Sequence, residues 1–120
     1  MAQSRQVTSD IYPFLTIRLD LRGRRHETSG LLDTGFSGDL AIPTGFFDGD
    51  FGLPDGRIDW ELADGSTIDA PVYLGSVEIA GFPPVPAAIT VLGDEYILGR
   101  GVIDRYKVTF DHGQRLIVEL

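Results

Sequence analysis

The sequence predicts an all-β, barrel-like domain with little helix. Two observations carry that expectation. No segment of the 120 residues sustains the 3.6-residue apolar period of a long amphipathic helix. Fifteen glycines and seven prolines punctuate the chain at short intervals and cut it into runs of strand length.

The elements follow in order. Residues 1–10 read as a flexible polar arm, and 11–120 as a single domain. Residues 11–21 alternate, with Leu15, Ile17, Leu19 and Leu21 on one face and Thr16, Arg18 and Asp20 on the other. Gly23 with Arg24 and Arg25 reads as a turn, and residues 26–32 as the returning strand. Leu40-Ala41-Ile42-Pro43 is a short third strand stopped by proline. Residues 44–56 mix Phe46, Phe47 and Phe51 with Gly and Asp. They read as a short helical turn followed by loop, and the stretch 44–57 either lines a pocket or covers the barrel.

Residues 58–62 alternate again. Ala63-Asp64-Gly65-Ser66 is a hairpin signal, because Asp-Gly supports turns that match strand twist. Strand character resumes over 67–79, breaks at Gly81, Pro83, Pro84 and Pro86, and returns over 87–92 and 96–98. Residues 102–107 read as one short helix of a turn or two. Residues 108–110 and 116–120 form a last hairpin across Asp111-His112-Gly113-Gln114.

The formal net charge of -8 argues against nucleic acid and against an anionic membrane surface. Cysteine is absent, which excludes disulfides and thiol catalysis. The polar start shows no signal peptide, and no apolar run approaches spanning length, so a cytoplasmic protein is expected. Asp48, Asp50 and Asp55 lack the ligand spacing of a calcium loop. His26 and His112 lie far apart without cysteines, so no metal or other cofactor is expected. Arg22, Arg24 and Arg25 suit pairing with a neighbouring acidic patch. Ser37 has no histidine positioned to activate it. Trp60 and Tyr73 suit either a cleft wall or barrel packing.

The chemistry-bearing stretch is Leu31-Leu32-Asp33-Thr34-Gly35-Phe36-Ser37-Gly38. A core strand ends abruptly on a polar hook that carries one carboxylate. The plain alternative is an Asx turn that ends a strand. One carboxylate hydrolyses little by itself. Two held close together share one proton, so that one acts as base and the other as acid. A chain with one such hook supplies the second only through a two-fold homodimer.

These residues resemble the catalytic loop of the retroviral-type aspartic proteases, the retropepsin-like family. Ile97-Leu98-Gly99-Arg100 resembles that family's second signature. The similarity of order and spacing runs from about residue 11 to residue 120, and the Phe36-Ser37-Gly38 extension is closest to small bacterial members. The resemblance implies a retropepsin-like barrel with Asp33 as the catalytic aspartate, one per subunit of a homodimer that cleaves a peptide or protein substrate. Thr34 would hydrogen-bond across the dimer axis, Gly35 would allow close approach, and Ser37 would belong to the supporting loop. Leu98 and Gly99 would pack beneath the loop in a crossed arrangement, with Arg100 bracing the loop or the dimer. Ala63, Asp64, Gly65 and Ser66 would form the tip of a flap, and residues 116–120 would join an intersubunit sheet. The flap departs from the glycine- and isoleucine-rich retroviral tip by being polar and acidic. Two other readings stand beside the protease: a retropepsin-like binding or scaffolding module with little or no turnover, and a monomeric barrel for a small ligand.

Overall fold

The computed structural model describes residues 6–46 and 51–120. Ten strands run in the order β1 (Gln6–Ser9), β2 (Phe14–Leu21), β3 (Arg24–Leu32), β4 (Leu40–Ile42), β5 (Gly56–Glu61), β6 (Thr67–Ile79), β7 (Val85–Val91), β8 (Ile97–Leu98), β9 (Lys107–Asp111) and β10 (Arg115–Glu119). One 3-10 turn, Thr44–Phe46, follows β4, and one short helix, α1 (Arg100–Ile103), follows β8.

Strands β2-β3-β8-β4-β7-β6 form a sheet that closes on itself, because β6 also pairs with β2 from Ile17↔Ile79 to Asp20↔Ser76. The closed all-β barrel is therefore the predicted class. Closure needs a strand long enough to serve several neighbours. At 13 residues, β6 pairs with β5 through its first half and with β7 and β2 through its second. The alternation of β2 is realised in full: Leu15, Ile17, Leu19 and Leu21 are buried, while Thr16 and Arg18 face outward. Each such side chain contributes roughly 1.5–3 kcal/mol relative to exposure. They join Leu40, Ile42, Ile89, Leu98, Val102, Leu116 and Val118 in one core.

Several assignments differ from the sequence expectation. Arg24 and Arg25, expected in the turn, already pair with Leu21 and Asp20 as the first residues of β3. Residues 6–9, expected in a flexible arm, form β1, which pairs with β10 from Gln6↔Glu119 to Ser9↔Leu116. Val7 packs against the core there, which explains why so polar a segment is ordered. Residues 1–5 of the expected arm lie outside the described residues. The helix begins at Arg100 and ends at Ile103 rather than occupying 102–107. Strand β7 starts at Val85 and runs through Pro86; β4 pairs with it only from Ile89 onward, so Pro86 sits where one flank has no strand. Finally, residues 115–119 do not offer a free edge for a second subunit. Strand β10 is the middle of a separate sheet, β1-β10-β9, and both its edges are occupied within the chain.

The basic run finds local acidic partners, as expected. Arg22 pairs with Asp55 at 3.3 Å and Arg25 with Asp20 at 3.3 Å, while Arg24 lies over the Phe51 ring. Phe46 and Phe51 pack against the core cluster, so this part of 44–56 covers the barrel. Phe47, Asp48 and Asp50, with the calcium question they raised, lie outside the described residues. Among the described residues, no helix is long and apolar enough to cross a membrane.

Candidate active site

The site is built where one strand end is crossed by a loop. Strand β8 lies between β3, parallel to it through Leu31↔Ile97 and Leu32↔Leu98, and β4, antiparallel to it through Leu40↔Leu98. The chain leaves β3 on one side of β8 and returns as β4 on the other. Residues 33–39 must therefore pass across the end of β8. Backbone bonds fix the crossing. Asp33 N–H donates to Leu98 O at 3.0 Å, Gly99 N–H to Asp39 O at 3.0 Å, Arg100 N–H to Phe36 O at 2.8 Å and Gly101 N–H to Gly38 O at 3.0 Å.

Leu98 and Gly99 are buried beneath this loop. A Cβ on Gly99 would collide with the Gly38 carbonyl oxygen and stand 2.6 Å from Phe36 Cδ2. Gly99 has an extended backbone, φ -101° and ψ 179°, so space rather than conformation selects glycine. Arg100 is exposed, and among the described residues its guanidinium has no ion pair. The brace it gives the loop within the chain is its backbone N–H.

Asp33 is half-buried at the end of β3. Its Oδ1 accepts the Gly35 N–H at 2.8 Å and its carbonyl accepts the Phe36 N–H at 3.2 Å. The Asx turn weighed as the plain alternative is thus present. It orients the carboxylate and leaves Oδ2 without a hydrogen bond among the described residues. Thr34, Gly35 and Ser37 are exposed around it. A single chain carries this loop once.

Strands β5 and β6 form the expected hairpin, with Ala63, Asp64, Gly65 and Ser66 at its tip. Gly65 takes φ +86°, the left-handed conformation that suits glycine. Asp64 closes the tip: its Oδ1 accepts the Ser66 hydroxyl at 2.6 Å and the Ser66 N–H at 2.9 Å. These bonds hold the Asp64 carboxyl below its ordinary range. Alternation gives the hairpin two unlike faces. Ile58 and Trp60, opposite Ala70 and Ile68, make an apolar face continued by Leu62. Arg57, Asp59, Glu61 and Asp69 make a charged one, with Arg57 and Asp69 paired at 2.8 Å.

The apolar face turns toward the loop. The Trp60 ring lies 5.0 Å from the Phe36 ring, and its Cη2 is 2.9 Å from where a Cβ on Gly38 would stand. Trp60 therefore packs on the crossed loop, and Tyr73 joins the core.

Two carboxylates with no anchoring role expected from sequence hold the surroundings together. Asp39, in the loop's last residue, accepts the Ala88 N–H of β7 at 2.8 Å. Asp55, at the root of the hairpin, accepts the Leu74 N–H of β6 at 2.8 Å and pairs with Arg22. The Leu74 N–H, helped by the Arg22 charge, holds the Asp55 carboxyl below its ordinary range. Neither residue sits in a motif, so only the folded chain reveals them. Among the described residues no group of three or more His, Asp or Glu side chains is arranged to hold a metal ion.

This architecture is the retropepsin-like aspartic-protease fold. It is shared with the crystal structure of a retropepsin-like aspartic protease from Rickettsia conorii, at TM-score 0.63 and 20% identity over 99% of this chain and 94% of that one. A foamy viral protease-reverse transcriptase in complex with an RNA/DNA hybrid matches at TM-score 0.55 and 25% identity, over 79% of this chain and 12% of that one. The protease of Simian Foamy Virus (mac) matches at TM-score 0.54 and 16% identity, over 76% and 91%. No family model matches the sequence, and no curated protein does.

Proposed function

We propose that the chain is an aspartic endopeptidase acting as a homodimer, with two copies of Asp33 facing each other across the two-fold axis. One observation carries the reading: Asp33 ends a core strand on a rigidly crossed loop, beneath a hairpin whose apolar face is turned to that loop. Two carboxylates brought close together in this way hold one proton between them. The ionised member takes a proton from water, and the water oxygen bonds to the substrate's carbonyl carbon. The protonated member gives its proton to the carbonyl oxygen. Collapse of the tetrahedral species breaks the C–N bond: the nitrogen leaves with the proton first taken from water, and one diol hydroxyl returns its proton to the member that had become ionised.

In this reading Thr34 ties the two loops together, Gly35 lets backbone and substrate approach, and Ser37 and Arg100 support the loop's outer turn. The tip residues Ala63 to Ser66 close over a peptide that lies extended, paired as an added strand. A cytoplasmic location belongs to the same proposal. Shared protonation predicts greatest activity in acid to mildly acid solution.

The test is Asp33→Asn. Cleavage of a peptide library should fall about a thousandfold or more while the circular dichroism spectrum is unchanged. Full retention of cleavage by a clean preparation of this variant overturns the assignment. A second reading, a binding module with little turnover, is favoured by the polar tip and by the contact of Trp60 with Phe36 across the cleft. It predicts saturable peptide binding by the native chain with no cleavage at any pH.

A further inference from the structure

The chain has one tryptophan, and the fold puts it on the hairpin that packs against the Asp33 loop. Trp60 rests on Phe36 and Gly38 of the crossed loop, so its ring links the hairpin to that loop. Its Nε1–H is buried, and it has no acceptor among the described residues. Buried donors are almost always paired, so an orphan one calls for an account. The indole N–H is a donor and nothing else. Whatever completes it must bring an acceptor oxygen or nitrogen to that edge of the ring. An extended peptide brings such acceptors as a row of main-chain carbonyls.

We propose that Trp60 is a substrate-positioning residue with two states. In the free chain its ring latches the hairpin to Phe36. When a peptide enters, the ring contact opens and the indole N–H donates to a main-chain carbonyl of the peptide, fixing its register over Asp33. The proposal rests on the endopeptidase reading. It adds to that reading a side-chain donor from the flap and an aromatic contact that ligand must displace. The neighbouring apolar residues Ile58, Leu62 and Ile68 share the Trp60 face and offer no competing donor from their side chains.

The sole indole allows a direct test. A peptide that the native chain cleaves is selected from a library and titrated into 15N-labelled Asp33→Asn protein, which holds it without turnover. The single indole N–H resonance should move downfield and saturate with the peptide, as an unpaired donor gains an acceptor. In the otherwise native protein, Trp60→Phe keeps a ring on Phe36 but removes the donor. Its KM for that peptide should rise about five- to tenfold with kcat changed less, the signature of one lost hydrogen bond made before the chemistry. An indole resonance that stays put at saturation, or an unchanged KM in a folded Trp60→Phe protein, overturns the inference and leaves the endopeptidase standing. Failure of the native chain to cleave any library peptide overturns both.

Discussion

At the scale of single residues, the crossing loop leaves Gly99 room for a hydrogen atom. A methyl group there meets the Gly38 carbonyl oxygen and the Phe36 ring, and neither is the free end of a flexible side chain. Gly99→Ala should lower stability by about 1–3 kcal/mol through overpacking, measured by urea unfolding. It should also reduce cleavage in conditions where the protein remains folded, because the displaced loop carries Asp33. A variant of native stability and activity would show that the crossing yields more easily than its backbone bonds imply. The turn at Asp33 was legible in the sequence because two leucines run straight into Asp33-Thr34-Gly35, with Ser37 and Gly38 close behind. Gly99 was legible by resemblance, with its physical reason hidden until the loop above it was seen. Asp39 was hidden because its partner, the Ala88 N–H, lies 49 positions away along the chain.

At the scale of elements, the root of the hairpin is tied by charge. That root is fixed by Asp55, whose carboxylate takes the Leu74 N–H and the Arg22 guanidinium. Because folding lowers this carboxyl's pKa, its contribution is fully present above the ordinary carboxylate range. It is lost as pH falls through the lowered value. Mildly acid solution, where a shared proton is expected to work best, should leave the root intact. Stronger acid should free it. Amide-exchange protection of Leu74, corrected for intrinsic rates, should fall at that lower pH in the native chain. In Asp55→Ala it should be low throughout. Equal protection in both proteins would remove Asp55 as the anchor of the root. The Asp-Gly turn and the flanking alternation made this hairpin readable in advance. Strand β1 was not readable, since Gln6-Val7-Thr8-Ser9 offers one aliphatic side chain. Its strand state comes from the edge of β10, a case of tertiary context deciding a segment that propensity leaves open.

At the scale of the whole molecule, the barrel was predictable because its strands are short, alternating and bounded by glycine and proline. The way the chain ends are joined was not, because pairing between distant segments leaves no local trace. The proposed dimer brings together two copies that each carry a net charge of -8. Their repulsion is long-ranged at low ionic strength, with a Debye length of about 30 Å at 0.01 M and about 8 Å at 0.15 M. Sedimentation should therefore show tighter association as salt rises across that range. Specific activity should fall on dilution below the dimerisation constant. Undiminished activity in a demonstrably monomeric sample would sink the paired-aspartate mechanism.

The antiparallel register that sets Gln6 beside Glu119 has a mechanical side. Tension applied between the two ends of the described chain loads that ladder as a zipper, parting its rungs singly instead of shearing them together. Under such a pull β1 should peel first, at low force, while the closed sheet that carries Asp33 stays whole.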